Sequence, residues 1–113
     1  MHVDIHAHLF HDAFNDDRED VLRRAEDNDV TVVNNGLDPT TNTAAKQLAR
    51  HHQHCHATAG LYPEEAQRPD QDQKQAAYQQ MRDNEFIGIG EVGLDYGYAS
   101  TEDERQRQRT VFK

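Results

Sequence analysis

The sequence predicts an α/β fold built from parallel strand–helix–strand units. Four apolar runs, over residues 3–9, 30–33, 55–61 and 86–92, begin roughly thirty residues apart. The polar stretches between them carry helical spacing and helix start signals, the alternation expected of a parallel sheet with crossover helices. At 113 residues the chain has room for one small domain with one core.

The first run reads His2-Val3-Asp4-Ile5-His6-Ala7-His8-Leu9. Strand alternation puts His2, Asp4, His6 and His8 on one face and Val3, Ile5, Ala7 and Leu9 on the other. A first helix is expected from Asn15 or Asp16, where Asp16 and Glu19 resemble a capping box, through Val21, Leu22 and Ala25. A second, starting between Thr40 and Asn42, would turn Ala44, Ala45, Leu48 and Ala49 inward, a small-residue face able to lie close to a sheet. A third spans about residues 70–83. In the fourth run Ile87, Ile89 and Glu91 share a face, with Glu91 at the strand's C-terminal end, where parallel α/β proteins collect ligands and catalytic groups. From Ser100 or Thr101 a last helix opens with Glu102, Asp103 and Glu104, favourable at a helix N-terminus. No C-cap signal precedes Lys113, so the chain is expected to end inside that helix as a truncated one.

The chemistry begins with the His6-x-His8 pair. Imidazole nitrogens suit Zn, Fe, Mn and similar ions, and two of them a strand repeat apart can converge on one ion. Glu91 at the end of the fourth strand would add a carboxylate, giving three ligands of a two-metal site. Two other patterns carry less. Gly88-x-Gly90-x-x-Gly93 matches a dinucleotide-binding motif, but no helix opens within it, so nucleotide binding is not expected there. The run His51-His52-Gln53-His54-Cys55-His56 is dense in imidazole, yet His51 and His52 close a helix where cations are tolerated.

The motifs His6-Ala7-His8, Gly60-Leu61-Tyr62-Pro63 and Gly90-Glu91-Val92-Gly93-Leu94-Asp95-Tyr96 resemble, in this order, those of the TatD family of metal-dependent deoxyribonucleases and their relatives. Asn35-Gly36 with Asp38, and Gln108 with Phe112, extend the resemblance along the whole chain. It implies a (β/α)8 TIM-type barrel, a fold of about 250 residues, so that residues 1–113 would supply the N-terminal part: about four βα units, the last helix incomplete.

The resemblance also implies a hydrolase that cleaves DNA phosphodiester bonds with metal-activated water. His6, His8 and Glu91 would bind divalent metal, Mg, Mn or Zn, two ions in a complete site bridged by catalytic Glu91, with two further histidines and an aspartate beyond Lys113. Asp4, on the face of His6, is expected to orient an imidazole through its ring N–H. Where the family commonly has Gly-x-His-Pro, this chain has Tyr62 before Pro63. Tyr62 is expected to bind substrate through a neutral hydroxyl in place of an imidazolium, or else to pack on Pro63. Two alternatives stand beside the nuclease, since function does not follow from fold: an amidohydrolase-like hydrolase acting on another substrate, and a catalytically inactive fragment.

Composition constrains these readings. No run approaches the ~18 apolar residues of a membrane helix, and no signal peptide follows Met1. A single cysteine, Cys55, excludes an internal disulfide and suits the reducing cytoplasm, with a buried structural role expected. The net charge of −9 is unhelpful for a nuclease, because non-specific DNA affinity usually comes from basic side chains. Nine arginines against three lysines, and thirteen aspartates against eight glutamates, resemble proteins of salt-loving organisms. At molar salt the screening length falls to about 3 Å, which relieves self-repulsion of an acidic surface. The protein is therefore expected to melt at a higher temperature in molar KCl than in dilute buffer, and an unchanged or lower midpoint would refute this.

Overall fold

β-Branched and small residues build the sheet. In the computed structural model, which describes residues 1–113, four strands lie side by side in chain order, all parallel: β1 (His2–Ala7), β2 (Val30–Asn35), β3 (Cys55–Ala59) and β4 (Gly88–Ile89). The helices are α1 (Arg18–Asp27), α2 (Pro39–His51), α3 (Pro63–Ala66), α4 (Gln71–Gln80) and α5 (Glu102–Phe112), with a 3-10 turn at Asp12–Phe14. The α/β class and the parallel topology are thus as the spacing predicts. None of the helices is long and apolar enough to cross a membrane.

The core is made of short side chains. Leu9, Leu22, Val32 and Cys55 pack under α1, while Ala45 of α2 meets Ala57, Ala59 and Phe86. The small-residue face expected of α2 therefore lies on the sheet, and Leu61, Ala66 and Ala77 join α3 to α4. Cys55 is 3% exposed, and burial pushes its thiol up to about 11, a structural role as anticipated.

Several boundaries differ from the pattern. β1 ends before His8, and its register against β2 slips: Asp4 pairs with Val32 but Ala7 with Asn34, three steps against two. The slip breaks the expected alternation, and Val3 and Ile5 stay exposed on this outer strand, Ile5 by 72%. Asp16 and Glu19 form no capping box; α1 starts later, because Arg18 turns back to bond the carbonyls of Leu9, Phe10 and His11 and draws the preceding loop into the 3-10 turn. α2 starts earlier, at Pro39, with a capping box between Asp38 and Thr41. The fourth strand shrinks to two residues, so Ile87, Ile89 and Glu91 do not share a strand face; the glycines around it leave few side chains to anchor a longer pairing. The loop entering β4 is held instead by Lys46–Asp83, 2.8 Å apart, and by Arg50, whose guanidinium keeps the Glu85 carboxyl below its usual range.

A buried amide braces the middle of the fold. Asn42, fully buried, donates to the Gly60 carbonyl and to Gln80 Oε1, both at 2.9 Å, and accepts from Gly60 N at 3.0 Å. Gly36 lies so close that a Cβ there would stand 1.8 Å from Asn42 Oδ1. Asn42→Ala leaves both Gly60 groups without this partner, and should cost about 1–3 kcal/mol. The expected signature is a lower urea midpoint at unchanged m-value; a midpoint equal to that of the parent chain would show that the bracket contributes nothing.

Candidate metal centre

β1 delivers the two histidines on either side of its last residue. At the register slip Asp4 Oδ1 accepts from the backbone N of His6 at 3.0 Å. The bent backbone takes the carboxylate that was expected on an imidazole, so Asp4 positions His6 through the main chain. Past the strand, Leu9 N donates to buried Asn34 Oδ1 at 2.8 Å, and His8 Nδ1 lies 2.8 Å from the Asn35 carbonyl. A carbonyl can only accept, so Nδ1 carries a proton, and Nε2 is the ring nitrogen turned toward Glu91.

Glu91 comes from the far side of the sheet. Three strand spacings of about 4.8 Å separate β4 from β1, roughly 14 Å in a flat sheet. The chain shortens this gap by turning across the strand ends. Gly90 N donates to the Ala59 carbonyl of β3, and Glu91 N to the Gly36 carbonyl just past β2, both at 2.9 Å. Thr58 Oγ1 donates to the Gly90 carbonyl at the same distance. Gly60 permits the crossing, since a Cβ there would meet Glu91 N at 2.2 Å and Gly90 C at 2.3 Å.

The crossing puts Glu91 Oε2 at 3.0 Å from His8 Nε2 and 3.3 Å from His6 Nε2. One ligand atom from each of the three residues lies within 4.8 Å of the others. Donors bound at about 2.0–2.2 Å to one ion stand about 3.0–3.6 Å apart, the range of the two histidine–Glu91 separations. Three protein ligands with an open position is also the donor count of catalytic zinc sites.

Tyr62 is not part of this cluster. It precedes α3, and its hydroxyl lies 3.4 Å from that of Tyr98, with the rings edge to face at 5.6 Å. The contact with Tyr98 foremost, then burial and the negative charges of Glu91 and Asp95, push the Tyr62 phenol up to about 12, so it remains neutral at physiological pH. The loop carrying Tyr98 is tied down by fully buried Gln108, which bonds both Asp95 N and Asp95 O at 2.9 Å and also Gln67 Oε1. Of these supports Asn34 and Tyr98 carry no role in the sequence pattern, and Gly60 enters it only within the Gly60-Leu61-Tyr62-Pro63 motif. For Asn34 the available signal was its place, with Asn35, at the end of an otherwise β-branched strand.

A family model for TatD related DNase matches residues 3–113. A 3'-5' ssDNA/RNA exonuclease TatD of Escherichia fergusonii is 32% identical over 106 residues, covering 92% of this chain and 41% of that protein. An uncharacterized metal-dependent hydrolase of Methanocaldococcus jannaschii, MJ1582, is 29% identical over 114 residues, 99% of this chain and 43% of the relative. The crystal structure of YjjV, a TatD homologue from Escherichia coli K12, superposes with a TM-score of 0.79 at 23% identity, covering 98% of this chain and 43% of that one. The four parallel strands are thus a half-barrel, and the chain spans about two-fifths of the length of the curated relatives it matches.

Calorimetric titration with Mn²⁺ or Zn²⁺ should reveal a site lost in His6→Ala. Gly60→Ala should weaken it about 10–100-fold, the usual effect of disturbing what orients a ligand. Undiminished affinity in both variants would place the metal elsewhere.

Proposed function

The chain belongs to the TatD related DNase family, and from that membership we propose that it is a divalent-metal-dependent hydrolase acting on DNA phosphodiester bonds. The carrying observation is the convergence of His6 Nε2, His8 Nε2 and Glu91 Oε2 at the C-terminal end of a parallel sheet, where such folds gather their chemistry. Residues 1–113 are read as one part of a single hydrolase domain, with Mg, Mn or Zn as the ion and two ions in a complete site. The single cysteine fits a cytoplasmic location.

Each residue has a task in this reading. His8 offers Nε2 because the Asn35 carbonyl holds the proton on Nδ1. His6 offers Nε2 from a backbone fixed by Asp4. Glu91 presents Oε2 to both imidazoles and would hold a divalent ion together with them. A divalent ion bound here would supply an activated water and positive charge toward the phosphate oxygens. Tyr62 supplies a neutral O–H on the same rim, able to hydrogen-bond a phosphate oxygen without adding charge.

The test is hydrolysis of a single-stranded oligodeoxynucleotide with Mg²⁺, Mn²⁺ or Zn²⁺. We expect cleavage that EDTA abolishes and that falls about 10²-fold or more in Glu91→Gln. The net charge of −9 favours the rival substrate class. Intact oligonucleotide alongside turnover of an ester or amide panel would therefore assign an amidohydrolase-like activity instead.

A further inference from the structure

We infer that Asn35 is a positioning residue of the candidate metal centre: its side-chain amide pins the irregular end of β1 and so aims His6 and His8 at Glu91. The inference rests on the metal-dependent reading above and names the group that holds its ligands in place.

The need for a pin arises at the register slip. Between the pairs Asp4–Val32 and Ala7–Asn34, Ile5 and His6 stand opposite the single residue Val33, two residues facing one as in a β-bulge. Such an irregularity interrupts the ladder and leaves backbone groups in need of other partners. Side chains take that place. Asp4 Oδ1 accepts from His6 N, and Asn35 Nδ2 donates to the Ile5 carbonyl at 3.0 Å and to the Val33 carbonyl at 2.9 Å. One amide thus bridges the two strands at the residues where their register slips. Its orientation is chemically fixed, because the reversed amide would set Oδ1 against two carbonyl oxygens.

All three candidate ligands are tied to this point of β2. The Asn35 carbonyl accepts from His8 Nδ1 at 2.8 Å, the Asn35 side chain holds the residue before His6, and the carbonyl of the next residue, Gly36, accepts from Glu91 N at 2.9 Å. Pairing with Thr58 of β3 anchors Asn35, and Thr58 Oγ1 in turn holds the Gly90 carbonyl. Removing the amide strips the Ile5 carbonyl of its partner. The pairing that restores one is the regular ladder, with His6 opposite Asn34. A shift of one residue carries side chains to the other face of a strand, so the His6 imidazole would turn away from Glu91 Oε2, which lies 3.3 Å from it in the slipped register.

The test uses the 113-residue chain with Asn35→Val and Asn35→Thr, both at home in a strand and neither able to donate to both carbonyls. Cross-strand NOEs, read without metal, should place Ala7 beside Asn34 in the parent chain and His6 beside Asn34 in the variants. Zn²⁺ affinity by calorimetry should fall about 10–100-fold in both. A residue needed only for stability would lower the melting midpoint and leave the affinity of the folded variants unchanged; that result overturns the inference, as does a slipped register that persists without the amide. The parent chain also decides by itself: the Asn35 side-chain NH₂ should exchange slowly with solvent and show NOEs to Ile5, and a freely exchanging NH₂ overturns the inference even where neither variant folds. Calorimetry on the parent keeps the two readings apart. No Zn²⁺ bound by a parent chain with the slipped register sinks the metal centre and leaves the register to decide the pin, whereas binding that is undiminished in folded variants sinks the role of Asn35 alone.

Discussion

The molecule turns on a close approach of backbones at Gly36, Gly60 and Glu91. The end of β4 must cross β3 to bring a carboxylate toward histidines delivered by β1. That crossing is possible only if nothing projects from the chain beneath it. Gly60 leaves the space, Gly36 supplies the carbonyl that receives Glu91 N, and Asn42 grips both Gly60 backbone groups from below. A buried amide making three such bonds is expensive to leave unpaired, so it holds one geometry where a core of alanines would tolerate sliding.

Polar side chains do similar work elsewhere. Asn34 fixes the turn after β1 through Leu9 N, and Gln108 ties α5 both to the loop after Glu91 and to Gln67. Large apolar residues are few in the interior: Leu9, Leu22, Leu61 and Phe86 are the only buried leucines and phenylalanine, among small alanines and valines. With little bulk to specify packing, directional bonds specify the loops, and those loops carry the candidate ligands.

Much of the fold was legible because its signals are local. Strand-to-strand spacing, the alanine face of α2, the cap at Thr101 and the burial of Cys55 follow from residue type and period. What was not legible depends on distant partners. Arg18 moves the start of α1 by bonding carbonyls up to nine residues back, and the register slip in β1 takes Asp4 away from the imidazole ring. β4 is short because its pairing is replaced by bonds made across the sheet end. The candidate ligands at positions 6, 8 and 91 were readable from strand position and family resemblance. Their meeting point was not, since it depends on Glu91 N finding a carbonyl two strands away. The Tyr62–Tyr98 contact was hidden for the same reason, joining loops 36 residues apart.

The acidic surface and the candidate centre are compatible once range is considered. At physiological salt the screening length is about 8 Å, so exposed carboxylates on the outer helices act weakly on a phosphate at the strand ends. Near Glu91 the balance differs, because His6 and His8 are its immediate neighbours and bring no negative charge of their own when neutral. A divalent cation there would more than offset the single carboxylate, making the strand-end rim locally attractive to an anion while the rest of the chain repels it. On the proposed reading, anion binding therefore rests on short-range contacts at this one point and not on a diffuse electrostatic grip.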